Sequence, residues 1–198
     1  MRMRTKLLVA AASLALAAAA SAIILTRHAE ATASPTPKGN FSLAAARAFS
    51  DFPVYYAGDS FEELPLVAVQ RDVTGFSNDV GFIYGTCQPT YDAGCAPPLV
   101  IQVWPACIRN PALYAAAGSM GIPSEPATVR GVPSAYFEDG ERLEIQTGVS
   151  TIAIFGSDKA EVTRAAEALK GVNLDAGATE ELPQPAPGAL TGKLRCGP

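Results

Sequence analysis

Four cysteines, three adjacent-carboxylate pairs and one serine following an aspartate are the residues of this chain whose types and spacing could do chemistry. The cysteines are Cys87, Cys95, Cys107 and Cys196. They contain no C-x-x-C, and the only histidine, His28, lies far upstream, so neither a zinc site nor a redox-active pair is indicated. Two structural disulfides are expected instead, with three possible connectivities. Cys87 to Cys95 with Cys107 to Cys196 is favoured, the first closing a short loop and the second pinning the tail. Chain-entropy arguments assign about 2.6 and 4.6 kcal/mol to these closures.

Gly58-Asp59-Ser60 has the composition of a hydrolase nucleophile block, but no histidine follows His28 to take the serine proton. The block reads better as a turn in which Asp59 or Ser60 caps Phe61-Glu62-Glu63. The pairs Glu62-Glu63, Glu138-Asp139 and Glu180-Glu181 each sit where a solvated turn is expected. Glycoside hydrolysis needs two carboxylates flanking a cleft, and nothing in the sequence marks one. There is no P-loop, G-x-G-x-x-G or G-x-S-x-G. No catalytic, cofactor-binding or metal-binding residues are therefore assigned, and no cofactor is expected. Tyr55, Tyr56, Phe82, Tyr84, Tyr91, Trp104, Tyr114, Tyr136 and Phe137 could line a ligand groove, although at strand spacing most belong in a core, with Tyr91 exposed on the stapled loop.

The elements that would position these residues begin after an export signal. Arg2, Arg4 and Lys6 precede nineteen uncharged residues, Leu7 to Leu25. Cleavage after Ala20-Ser21-Ala22 would release the domain, whereas retention of the whole stretch, ~30 Å of helix, would anchor it in a bilayer. The length slightly favours the single-pass anchor. Residues 1–33 are read as signal peptide or signal anchor plus spacer, 34–171 as an extracytoplasmic domain, and 172–198 as a Pro-rich tail held by a disulfide. From Ser34 onward eleven basic side chains face eighteen acidic ones. That balance excludes nucleic acid as a partner and leaves the membrane contact to Leu7 to Leu25.

Within the domain, Ser42 caps a short helix over Phe41 to Ser50, and Phe52 to Tyr56 and Leu64 to Gln70 read as extended. Val80 to Cys107 reads as a stapled hairpin. Asn110-Pro111 opens a helix to Gly118, and Gly118 to Pro126 reads as irregular. Asp139-Gly140 between Tyr136-Phe137-Glu138 and Arg142 to Thr147 predicts a two-residue hairpin turn. In its second strand Leu143, Ile145 and Thr147 form a dry face and Arg142, Glu144 and Gln146 a wet one, so the sheet is expected to be covered on one side. Thr151 to Phe155 is a third strand. Asp158 and Glu161 open a helix whose apolar face is Val162, Ala165, Ala166 and Leu169, ended by Gly171. The fold class expected is α+β: an antiparallel sheet of about six strands with helices packed on one face, after an N-terminal apolar helix. Strand, strand, helix occurs twice, without sequence identity between the halves.

The block carrying FPVYYAGDSFEELPL, FIYGTC, GCAPPLVIQVWPAC and RNPALY resembles uncharacterised exported or membrane-anchored proteins of actinobacteria. VRGVPSAYFEDGERLEIQTGVSTIAIFGSDKAEVTRAAEAL is similar to an extracytoplasmic domain of unknown function in Gram-positive anti-sigma-like and sporulation proteins. Ser134 stands here where that pattern has alanine, and the tryptophan of its middle strand is missing. The resemblance implies an exported location and no catalytic residues. The function expected is a non-enzymatic extracytoplasmic binding domain, anchored or secreted, whose partner is a protein, an envelope component or a small ligand; the alternative is a carboxylate-dependent hydrolase of envelope polymers.

Overall fold

The computed structural model describes residues 39–74, 77–87, 95–110, 124–174 and 181–197. The apolar segment Leu7 to Leu25, the helix expected after Asn110, and Tyr91 and Tyr114 lie outside the described residues. Among the described residues no helix is long and apolar enough to cross a membrane.

Among the described residues the helices and strands run in the order α1 (Leu43–Ala48), β1 (Tyr55–Tyr56), β2 (Ser60–Phe61), β3 (Leu64–Asp72), β4 (Asp79–Tyr84), β5 (Leu99–Pro105), β6 (Ser124–Val129), β7 (Val132–Phe137), β8 (Arg142–Thr147), β9 (Ser150–Phe155), α2 (Lys159–Glu167) and β10 (Lys170–Gly171). An eight-stranded sheet has the order β2-β3-β4-β5-β9-β8-β7-β6, and β1 pairs with β10 in a separate two-stranded ladder. Each half of the large sheet is a four-stranded meander. Their last strands, β5 and β9, pair antiparallel at the centre, so the order reads first to fourth strand from either edge.

This corrects the expected six-stranded sheet with helices packed on one face. Two strands escape pattern reading for physical reasons. β2 is only two residues long, and β6, SEPATV, carries Pro126 and lies in a stretch read as irregular. β6 is an edge strand, the one place in a ladder where a residue without an N–H is tolerated. Its link to β7 is the two-residue turn Arg130-Gly131, with φ of 47° and 82°, the left-handed pair that suits a tight hairpin. The helices are too short to make a layer, at six and nine residues.

One sheet face forms the core. Val69, Phe82, Ile101, Ile154, Leu143 and Tyr136 stand in a single cross-strand row over six strands, flanked by Val80, Val103, Ile152 and Ile145. They are covered by Phe52 and Val54 of the segment before β1, by Tyr55 of β1, by Val162, Ala165, Ala166 and Leu169, and by Leu182 of the tail. Burial of such side chains, at about 1.5–3 kcal/mol each, is the main stabilising contribution.

The caps fall close to the expected positions. Ser42 Oγ accepts from Ala45 N at 3.0 Å, and Asp158 Oδ1 from Glu161 N at 2.8 Å. The Glu161 carboxylate reaches back to Ser157 N at 2.6 Å. Helix α2 stops at Glu167, before the expected Gly171 end, because Lys170–Gly171 pairs with Tyr55–Tyr56 and Arg130 donates to the Leu169 carbonyl at 2.8 Å. The Asp139-Gly140 turn has the predicted positive φ values, 55° and 99°, but the loop is wider than two residues and includes a short 3-10 turn over Glu138–Gly140. The tail is docked on hairpin turns. Thr147 Oγ1 and Gly148 N both donate to the Pro183 carbonyl, at 2.7 and 3.1 Å. Cys107 pairs with Cys196 and Cys87 with Cys95, at Cα separations of 5.5 and 6.0 Å. Two disulfides place the domain in an oxidising, extracytoplasmic compartment.

Candidate functional site

Side chains alternate between faces along a strand, so each strand of the core also builds the opposite face. There the expectation of a solvated surface fails. Glu144 is 1% exposed and Gln146 3%, and Thr151, Ala153 and Phe137 are also buried. Around β8 and β9 the second face is therefore a polar interior rather than a wet one, while toward β3 it opens, with Gln70 exposed and Gln102 half-buried.

Its middle row, in register, is Gln70, Gly81, Gln102, Ala153, Glu144 and Ala135. Small residues alternate with long polar ones, which leaves room between the polar side chains. The row beside it is apolar, with Ala68, Ile83, Val100, Phe155 and Phe137, and Arg142 is set among them with its guanidinium 4.7 Å from the Phe137 ring centroid. The row on the other side carries Asp72 opposite Asp79, and Trp104 opposite Thr151, which is opposite Gln146.

Glu144 organises this face. Its Oε1 accepts from Arg109 Nη2 at 2.5 Å and lies 3.4 Å from Arg142 Nε. Arg109 in turn lies 5.2 Å from the centroid of the Trp104 ring, and its carbonyl accepts from Thr151 Oγ1 at 2.5 Å. Gln146 Nε2 donates to the same hydroxyl at 2.6 Å. Among the described residues the buried side-chain atoms that lack a hydrogen-bond partner, Trp104 Nε1, Arg109 Nε, Arg142 Nε, Glu144 Oε2 and Gln146 Oε1, all lie on or against this face. Glu144 is withdrawn from water and its two arginines are mostly buried, so the cluster carries a desolvation cost that its mutual attraction must offset. Trp104 packs against its Arg109 end.

A cleft of about 670 Å3 opens beside Trp104, lined by Gln70, Asp72, Val73, Asp79 and Gln102 among others. It lies in the range of small-ligand sites, ~300–1,000 Å3. Its two carboxylates have opposite environments. Asp72 Oδ1 accepts from Thr74 Oγ1 at 2.6 Å and Thr74 N at 2.8 Å, and these bonds hold it below the usual carboxylate range. Asp79 is 6% exposed. Burial, then the Asp72 charge, push it up to about 6 against the pull of Arg71 and Arg109. Among the described residues no hydrogen bond or ion pair reaches its carboxylate. The Arg71 guanidinium bonds instead to the Asp72 and Asp79 carbonyls, at 3.0 and 3.1 Å, and lies 5.0 Å from the Phe49 ring. That brace fixes the end of the β3–β4 hairpin and leaves the Asp79 carboxylate unspent. Gly81 lies between the Gln70 and Gln102 amides. A Cβ built on it would meet nothing nearer than Gln70 Cβ at 3.9 Å.

The carboxylate pairs visible in the sequence are not part of this cleft. Glu62 pairs with Arg164 at 2.6 Å on the surface, Glu138 pairs with Arg142 at 3.3 Å, and Glu180 lies outside the described residues. Ser60 is exposed on the edge strand β2, whose turn to β3 is Glu62-Glu63 itself, so the Gly58-Asp59-Ser60 block caps no turn there. Asp72 and Asp79 escaped notice because six residues lie between them; the available signal was their symmetrical place at the two ends of one hairpin loop. Among the described residues no group of three or more His, Cys, Asp or Glu could hold a metal ion. No family model, curated protein or solved structure matches the chain.

Proposed function

We propose that the chain is an extracytoplasmic binding domain whose ligand enters the cleft beside Trp104. The observation that carries this reading is Asp79: the residue is only 6% exposed, among the described residues no hydrogen bond or ion pair reaches its carboxylate, and it lines a cleft together with Gln70 and Gln102. Folding alone does not favour an ionised carboxylate at so little-exposed a position without a donor. A ligand that bonds to it recovers the loss. The two disulfides support a ligand met outside the cytoplasm, in keeping with the export signal read at Leu7 to Leu25, which is the anchor when it is not cleaved. The test is the melting temperature of the full chain with separated cell-envelope fractions. A rise with one fraction that is lost in Gly81→Leu supports the reading, and no rise with any fraction sinks it.

A second reading rests on the same pair. Asp79 is half protonated near pH 6 while Asp72 stays ionised, and two carboxylates held at different pKa values are the equipment of an acid/base hydrolase. Asp72, however, is committed to Thr74, which ranks binding above hydrolysis. Release of soluble fragments from envelope polymer by the wild type, lost in Asp79→Asn, would reverse that order.

A further inference from the structure

The groups that remain unspent around the cleft define a ligand chemistry. We infer, resting on the binding reading above, that the cleft takes a neutral, hydroxyl-rich ligand, a short segment of glycan. Gln70 and Gln102 each offer a donor and an acceptor on one amide, and Asp79 offers an acceptor as carboxylate or a donor as acid. A sugar hydroxyl both donates and accepts, so it can satisfy all three whichever way their hydrogens point. The amides lie on either side of Gly81, which leaves the floor between them without a side chain. Apolar surface comes from Trp104 and from Val73, which is 66% exposed at the rim. A pyranose has that same division, C–H groups on its faces and hydroxyls around its edge.

Charge excludes the other small-ligand classes. An anionic ligand would meet the fixed charge of Asp72 and the partial charge of Asp79, while the nearest cations are engaged: Arg71 with the hairpin carbonyls and Arg109 with Glu144. An ammonium ligand would be drawn to Asp79 but would also meet the Arg71 side chain, which lines the same cleft. The Trp104 ring, moreover, already has the Arg109 guanidinium beside it.

Trp104 is the only tryptophan of the chain, so its emission reports the cleft directly. The full chain is titrated with chitotriose, maltotriose and mannotriose, and with putrescine and inorganic phosphate as charged controls. A saturable change with a trisaccharide, weakened about 3- to 10-fold by Gln102→Ala and lost in Gly81→Leu, is the expected result. Gln102→Ala, on a half-buried side chain, keeps the test decisive if Gly81→Leu does not fold. Response to putrescine or phosphate alone overturns the glycan assignment and leaves the binding reading standing. Silence toward every trisaccharide also overturns the assignment. If no envelope fraction raises the melting temperature either, the binding reading falls with it.

Discussion

Along one face of the eight-stranded sheet the row Val69, Phe82, Ile101, Ile154, Leu143 and Tyr136 carries only one polar atom, the tyrosine hydroxyl. One residue further along each strand the row reads Gln70, Gly81, Gln102, Ala153, Glu144 and Ala135. The same backbone thus presents two surfaces under different constraints. The first is packed by whatever apolar groups fit, and hydrophobic burial explains every member. The second keeps a buried carboxylate between two arginines, an unpartnered carboxylate and a run of small residues, none of which stability alone would favour. The division teaches where to look for function: burial accounts for one face, and the groups it does not account for lie on the other.

The comparison can be broken by substitutions of graded severity. Phe82→Ala on the core face is expected to cost about 3–5 kcal/mol in denaturant unfolding, because it opens a cavity among fully buried neighbours. Loss below 1 kcal/mol would mean that the first face is not the main stabilising one. Glu144→Ala, on the second face, should cost ~3 kcal/mol by leaving Arg109 and Arg142 buried without their shared anion. It should also shift Trp104 emission, since Arg109 loses its anchor, whereas a purely structural role for the ion pair would leave the emission unchanged. Joint replacement of Cys107 and Cys196 by serine should cost about 2–4 kcal/mol and make the tail protease-sensitive.

Asp79→Asn sharpens the comparison by reversing the sign. The Asp79 pKa lies at about 6 in the folded protein and 3.8 in the reference state. Between those values the folded state holds more proton than the unfolded one, so stability falls as pH rises through the window and stays lowered above it. The asparagine variant should therefore be more stable than wild type by ~1–3 kcal/mol at pH 8 and similar to it at pH 4. Melting temperatures at the two pH values decide it; an asparagine variant destabilised at pH 8 would show that the carboxylate has a partner. The smallest effect is expected far from both faces, where Asp158→Ala should cost ~1 kcal/mol by removing the α2 cap.

Local signals were legible where a single segment carries its own explanation. Ser42, Asp158 and Glu161 cap helices through bonds within four residues. Leu143 and Ile145 face the core as their alternation implied. Glu144 was misread because a polar residue at an alternate strand position normally faces water; two arginines, one of them 35 residues upstream, and cover over the second face made burial tolerable instead. β6 was missed because its proline is admissible only at a sheet edge, and edge position belongs to the whole sheet. Asp72 and Asp79 became a pair only through hairpin register.

The sequence by itself pointed to the compartment through four cysteines without metal-ligand spacing, which pair as two disulfides. It also determined which segments become the central strands and helices, because hydrophobic period, turn residues and caps act over a few neighbours. The tertiary structure alone decided that the strands join as two meanders back to back, that the second face is closed over Glu144 and Gln146, and that Asp79, Gln102 and Trp104 share one cleft. Those outcomes depend on contacts between residues tens of positions apart, whose energies exist only once the sheet has assembled.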